Sequence, residues 1–201
     1  MMSPTVARYL ESLPNGLASY PEAVVKGSVL SATFADAGFT PEPGTLPAEL
    51  ERYALDPPAI GAWVPETFHS TLVGAIFDHR FREQGGLPAF EAWAHERNRR
   101  LMRSPLYRVL FWVVRPERVF IGVQKRWSAF HRGSVLEVVS EKTLQRTVRL
   151  FHPPHLFSEH ALHTFAAAFR AAGEAAGLKE VRTRLKRDQA DATVYVVDWA
   201  S

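Results

Sequence analysis

Apolar positions in this chain recur at two periods. Up to about residue 133 they return every three or four residues, as on one face of a helix. From Ser134 onward they alternate, as on one face of a strand. The first part therefore predicts helices. Ser3-Pro4 followed by Val6, Tyr9, Leu10 and Leu13 predicts a short amphipathic helix with a cap and a first-turn proline, ended by Pro14-Asn15-Gly16. Val25, Val29, Ala32 and Phe34 place a second helix that closes at Gly38. Two prolines and a glycine make Phe39 to Leu46 a loop, and Pro47 to Leu55 reads as a brief helix stopped by Asp56-Pro57-Pro58. In Pro65 to Phe81, the residues Phe68, Leu72, Val73, Ile76 and Phe77 form one stripe. Thr67, Ser70, Asp78 and His79 take the remaining arc. Leu87, Phe90, Trp93, Ala94, Leu101 and Met102 mark another helix, whose other face carries Glu91, His95, Arg99 and Arg103. The nearly continuous apolar run Leu106 to Val114 fits a buried helix or a buried strand, and its helical neighbours favour helix. Pro116 opens a further helix through Val119, Phe120, Val123, Trp127 and Phe130, closed by Gly133.

The last seventy residues predict strand, strand, helix, strand, strand. The β-branched run Val135 to Val139 and the alternation from Leu144 to Phe151 give two strands with a turn near Glu141-Lys142. Ser158 caps a helix running to Ala176, with Phe157 and Leu162 at the positions of a hydrophobic staple and Gly177 just past the end. Leu178 to Lys186 and Ala192 to Trp199 are the final strands, joined by Asp188-Gln189-Ala190-Asp191. The fold class is α+β: a leader over residues 1–23, then one domain over 24–201. Within it a helical layer (24–133) packs on a four-stranded antiparallel ββαββ sheet (134–201), and the two parts are expected to share a core.

Composition narrows the function. The 201 residues are 46% hydrophobic and 22% charged, as in an ordinary globular chain. A net charge of +3 is too small to make nucleic acid the expected partner. The absence of cysteine removes disulfides, thiolate metal sites and a thiol nucleophile. No apolar run is long enough for a membrane span, and no secretion signal opens the chain, so cytoplasm is the expected compartment.

Three clusters invite a chemical reading. His152, His155, His160 and His163 gather half of the eight histidines, and converging imidazoles can bind zinc. His160 and His163 nevertheless share a polar arc with Glu159, Arg170 and Glu174, which favours a solvated face. Arg182, Arg184 and Lys186 alternate along one strand, with Arg146 a further candidate for the same face; lacking interleaved aromatics, the stripe reads as an edge protected by charge. In the third cluster, His95 to Arg103, Glu96 can pair with Arg100 on a solvated helix face. No glycine loop cradles phosphate, no nucleophile elbow surrounds a serine, and Glu66 and Asp78 have no partner visible in sequence. The expectation is a protein that is not an enzyme. The aromatic residues instead concentrate in the middle of the chain, where a helical layer over a small sheet can leave an apolar cavity.

The order of elements carries a resemblance. Lys26-Gly27 opens the first domain helix, Trp63-Val64-Pro65 leads into the next long one, and the ββαββ end finishes in an alternating strand with Trp199. This layout resembles a lineage-restricted family of paralogous myxobacterial proteins. It is similar in turn to the superfamily of haem-nitric-oxide-binding domains, vinyl-reductase-type small-molecule-binding domains and TRAPP trafficking subunits. The resemblance spans about residues 24 to 201 and implies a sensor or adaptor. Its haem-binding members use a proximal histidine and a Tyr-x-Ser-x-Arg segment, whereas this chain reads Val138-Val139-Ser140-Glu141-Lys142. No cofactor is therefore expected; haem and a fatty acyl ligand stay open as alternatives that no motif supports, and the acyl role of the TRAPP-like members needs none. The expected function is binding of an apolar small molecule in a pocket between helices, lined by Leu72, Ile76, Val109, Trp112, Phe120 and Val123. The alternative is a homodimeric or larger interaction scaffold of the TRAPP type without ligand.

Overall fold

The computed structural model describes residues 2–38, 40–103, 120 and 122–201. These fall into two compact units, one drawn from Met1–Phe90, Phe130–Ser134 and His152–Ala161, the other from Glu91–Ala129, Val135–Phe151 and Leu162–Ser201.

The first unit is built around one helix. In chain order it holds α1 (Pro4–Ser12), β1 (Val24–Lys26), α2 (Gly27–Ala37), α3 (Ala48–Leu55), β2 (Trp63–Pro65), α4 (Glu66–Arg80), the start of α5 (Gly86–Arg103) and β3 (His131–Arg132). The strands form an antiparallel sheet of order β2-β1-β3, in which Val25 pairs with both Val64 and His131. Two- and three-residue strands are too short to show alternation. Val25, expected in a helix, is therefore a strand residue, and Trp63 to Pro65 form a strand that the pattern did not show.

Every residue of α4 from Glu66 to Ile76 is buried, its polar arc as well as its apolar stripe. The hydroxyls tolerate this because each has an acceptor: Thr67 donates to the Leu17 carbonyl (2.8 Å), Ser70 to that of Leu156 (3.2 Å) and Thr71 to that of Thr67 (2.7 Å). α4 also closes the ends of its neighbours. Ser3 makes no side-chain cap on α1; instead Asp78 accepts from the Thr5 backbone N–H (2.7 Å) and hydroxyl (2.6 Å). At the other end, Arg80 donates to the Asp36 and Ala37 carbonyls (3.3 and 3.0 Å) where α2 stops at Gly38, whose φ is 72°.

The second unit contains the rest of α5, α6 (Val123–Ser128), β4 (Val135–Lys142), β5 (Gln145–Phe151), most of α7 (Glu159–Ala175), β6 (Lys179–Gln189) and β7 (Ala192–Ala200). Its four strands form the antiparallel sheet β4-β5-β7-β6, the expected ββαββ arrangement. α7 packs on one face: the Phe169 and Tyr195 rings lie 4.9 Å apart, and the Tyr195 hydroxyl donates to the Leu162 carbonyl (3.3 Å). Gly173 lets the helix approach, since a Cβ there would sit 3.1 Å from Val181. Ser158 caps α7 by accepting from the Ala161 N–H (3.3 Å), and Gly177 follows the helix at φ 94°.

Several boundaries differ from expectation: β6 runs on to Gln189, leaving only Ala190-Asp191 of the turn expected at Asp188 to Asp191. The first hairpin turns at Thr143-Leu144, two residues later than the charges suggested, with Leu144 at φ 60°. The helix expected from Pro116 to Phe130 is described only as α6, which starts after Gly122 at φ 73°. Phe120 lies in a turn, and His131 leaves the helical pattern to pair with Val25. The run Leu106 to Val114 falls outside the described residues, as do Pro116 and Val119.

Candidate functional site

The first unit holds a buried ionisable cluster at the start of α4. Glu66 is fully buried, with its backbone N–H donating to the Ala23 carbonyl (2.9 Å). One carboxylate oxygen lies 2.8 Å from His131 Nδ1 and the other 3.5 Å from His69 Nδ1. Burial pushes the Glu66 carboxyl up, but the charge and hydrogen bond of His131, with those of His69, outweigh it and hold the group at about 2. Tyr9, whose hydroxyl donates to the Leu156 carbonyl (2.6 Å), is pushed above its ordinary value chiefly by burial. This cluster ties β3 to α4 through a buried, charge-assisted bond. Glu66 and His69 are one turn apart, a spacing present in the sequence; His131 is sixty-five positions away and had no such signal.

In the second unit, two imidazoles are oriented by carboxylates. His163 Nδ1 lies 2.7 Å from Glu91, and His95 Nε2 lies 2.9 Å from Glu174. Arg170 and Arg99 also reach Glu174, at 3.0 and 3.8 Å. The faces expected to be solvated are therefore crossed by ion pairs between α5 and α7. Glu96 pairs with Arg99, three residues on (3.0 Å).

The four clustered histidines take separate roles. His152 Nδ1 meets the Pro153 carbonyl (2.9 Å), and His155 is exposed at φ 60°. His160 is not on a solvated arc: its ring lies 3.9 Å from Phe77 and 5.5 Å from Phe90. Among the described residues no three or more His, Asp or Glu side chains converge as a metal-ion site. Arg182, Arg184 and Lys186 do share one exposed face of edge strand β6, with Arg184 bonded to Asp198 (2.7 Å). Arg146 is on the opposite face, because it pairs with Val197 and Arg184 pairs with Val196. Of the residues expected to line a pocket, Leu72 and Ile76 are buried in the first unit, while Phe120 (buried) and Val123 (half-buried) belong to the second. Val109 and Trp112 lie outside the described residues. No helix among the described residues is long and apolar enough to cross a membrane.

No protein-family model matches the chain, and no curated protein matches it. Solved structures do. The chain is similar to the Fe(II) unliganded H-NOX protein from K. algicida, with a TM-score of 0.52 at 9% identity over 88% of this chain and 97% of that one. A point mutant of the same protein gives 0.54 at 8% identity over the same shares. An H-NOX protein solved to probe haem distortion in that family gives 0.50 at 8% identity, over 100% of this chain and 96% of that one. At such identities the likeness establishes the fold: this is an H-NOX-like fold, as the layout of elements implied.

That finding corrects the expectation that no cofactor belongs with this layout. Two of the similar structures are of an Fe(II) H-NOX protein and its mutant, and the third belongs to work on haem distortion in the H-NOX family. The donor chemistry of this chain can be compared with the need of a haem. A haem iron takes a single protein imidazole, and a ligating imidazole commonly donates its other ring N–H to an oxygen. His163 and His95 have that second feature through Glu91 and Glu174. In kind, then, the residues fit. That no such ion site is found among the described residues does not count against a cofactor that brings four ligands of its own.

Proposed function

We propose that this chain is a small-molecule-binding sensory domain with haem as its cofactor. The supporting observation is the H-NOX-like fold over 88–100% of the chain. In this reading the haem supplies the binding point for a small diatomic or similar ligand, and His163 is the first choice to hold it. Its Nδ1 is engaged by Glu91, so Nε2 is the atom that would face the iron. His95, with Nε2 engaged by Glu174, is the second choice.

The test is haem titration of the purified chain, read by absorption. A saturable Soret band is expected, weakened or shifted in His163→Ala and unchanged in His155→Ala, whose imidazole is exposed. A band that persists unaltered in both His163→Ala and His95→Ala removes the ligand assignment but leaves the haem. A chain that gives only the spectrum of free haem refutes the cofactor. Native mass spectrometry of the same sample then reports whether some other small molecule is retained.

A further inference from the structure

The outward face of the β2-β1-β3 sheet carries a cluster unrelated to the ion pairs above. Lys26 pairs with Trp63, and Val24 pairs with both Pro65 and Arg132. Because residues two apart along a strand share a face, Lys26, Trp63 and Arg132 are on one side. Val25, Val64 and His131 point the other way and are buried. The Lys26 ammonium lies 4.1 Å from the centre of the Trp63 ring and the Arg132 guanidinium 4.0 Å from it. Among the described residues neither cation has a carboxylate partner. Two positive charges thus sit on one indole, neither in an ion pair with a described residue.

Beside them the chain holds an apolar side chain out in solvent. Ile60 is 74% exposed, yet its backbone is pinned. The Ser28 N–H donates to the Ile60 carbonyl (3.3 Å), the Gly27 N–H to that of Ala62 (2.8 Å), and Lys26 Nζ to that of Gly61 (3.1 Å). Gly27 is required for this approach, since a Cβ there would lie 2.4 Å from the Ala59 carbonyl oxygen. Ile60 is therefore presented by a braced turn at the end of the sheet where Lys26 closes β1 and Trp63 opens β2.

We propose that this face docks on an anionic lipid surface. Ile60 enters the boundary between headgroups and acyl chains, Trp63 sits at headgroup depth, and Lys26 and Arg132 meet lipid phosphates. Charge complementarity selects this occupant. Uncompensated cations at the rim of an aliphatic tip are costly against an apolar protein surface and favourable against a layer of phosphates. The attachment is peripheral, and it does not depend on whether the domain binds haem.

Sedimentation of the whole chain with vesicles tests it. Phosphatidylcholine mixed with phosphatidylglycerol is expected to carry the protein down, phosphatidylcholine alone is not, and added salt should release it. Lys26→Glu together with Arg132→Glu should lower partitioning on the order of five-fold or more for each cation lost. Ile60→Asp should lower it with both cations intact. Circular dichroism confirms that each variant is folded. The proposal is overturned if the anionic vesicles leave the protein in solution, or if folded variants partition as the parent does. It is equally overturned if inorganic phosphate releases the protein at an ionic strength where chloride does not, because the site would then be one for a free phosphoanion.

Discussion

Glu66 shows how much one side chain can depend on distant ones. A carboxylate with no exposed surface is tolerated only because His131 and His69 face its two oxygens. Its folded-state value of about 2 lies below the ordinary 4.5. The stability it contributes is therefore full above about 4.5 and is lost as pH falls towards 2. Glu66→Gln should cost about 3 kcal/mol at neutral pH. In urea titrations at a series of pH values, the gap between variant and parent should close below 4.5. A gap that stays constant down to pH 2 would mean that the carboxylate is not ionised in the folded protein. The i to i+3 relation of Glu66 to His69 could be read from the chain; the partner that matters most, His131, could not, because sheet pairing alone brings it there.

Among the elements, length decided what could be anticipated. α7, β4 to β7 and α5 are long enough for their period to be counted, and their order emerged from the pattern. β1, β2 and β3 are two or three residues each, and pairing rather than side-chain alternation defines them. In α4 the period shows the apolar stripe but not the burial of the polar residues between Glu66 and Ile76, whose hydroxyls bond to carbonyls distant in sequence. Local caps were readable where the partner is near in sequence. Ser158 receives the Ala161 N–H and donates to the Ser70 carbonyl (3.1 Å). Ser158→Ala should therefore destabilise the protein by about 1–2 kcal/mol, seen as a fall of a few degrees in melting temperature, roughly 2–4 °C per kcal/mol for a chain of this size. Ser158→Asp should recover part of that loss, because a carboxylate can still accept from the helix N-terminus.

For the molecule as a whole, haem loading makes a thermodynamic prediction besides the spectroscopic one. A cofactor that binds only the native state raises its stability by an amount that grows with free cofactor. Melting temperature should rise with added haem in the parent chain and respond less in His163→Ala. An equal response in both would place the iron on another side chain. The switch from helical to alternating spacing near Ser134 was enough to give the α+β class, the four-stranded antiparallel sheet and the helix laid on it, since burying one face forces a period on the residues that face it. Distance along the chain hid the rest. The three-stranded sheet, the Glu66–His131 bond, the carboxylates that orient His95 and His163, and the two cations gathered on Trp63 all join residues tens of positions apart. Such contacts leave no periodic trace, because they arise from where elements meet and not from how each one is wound.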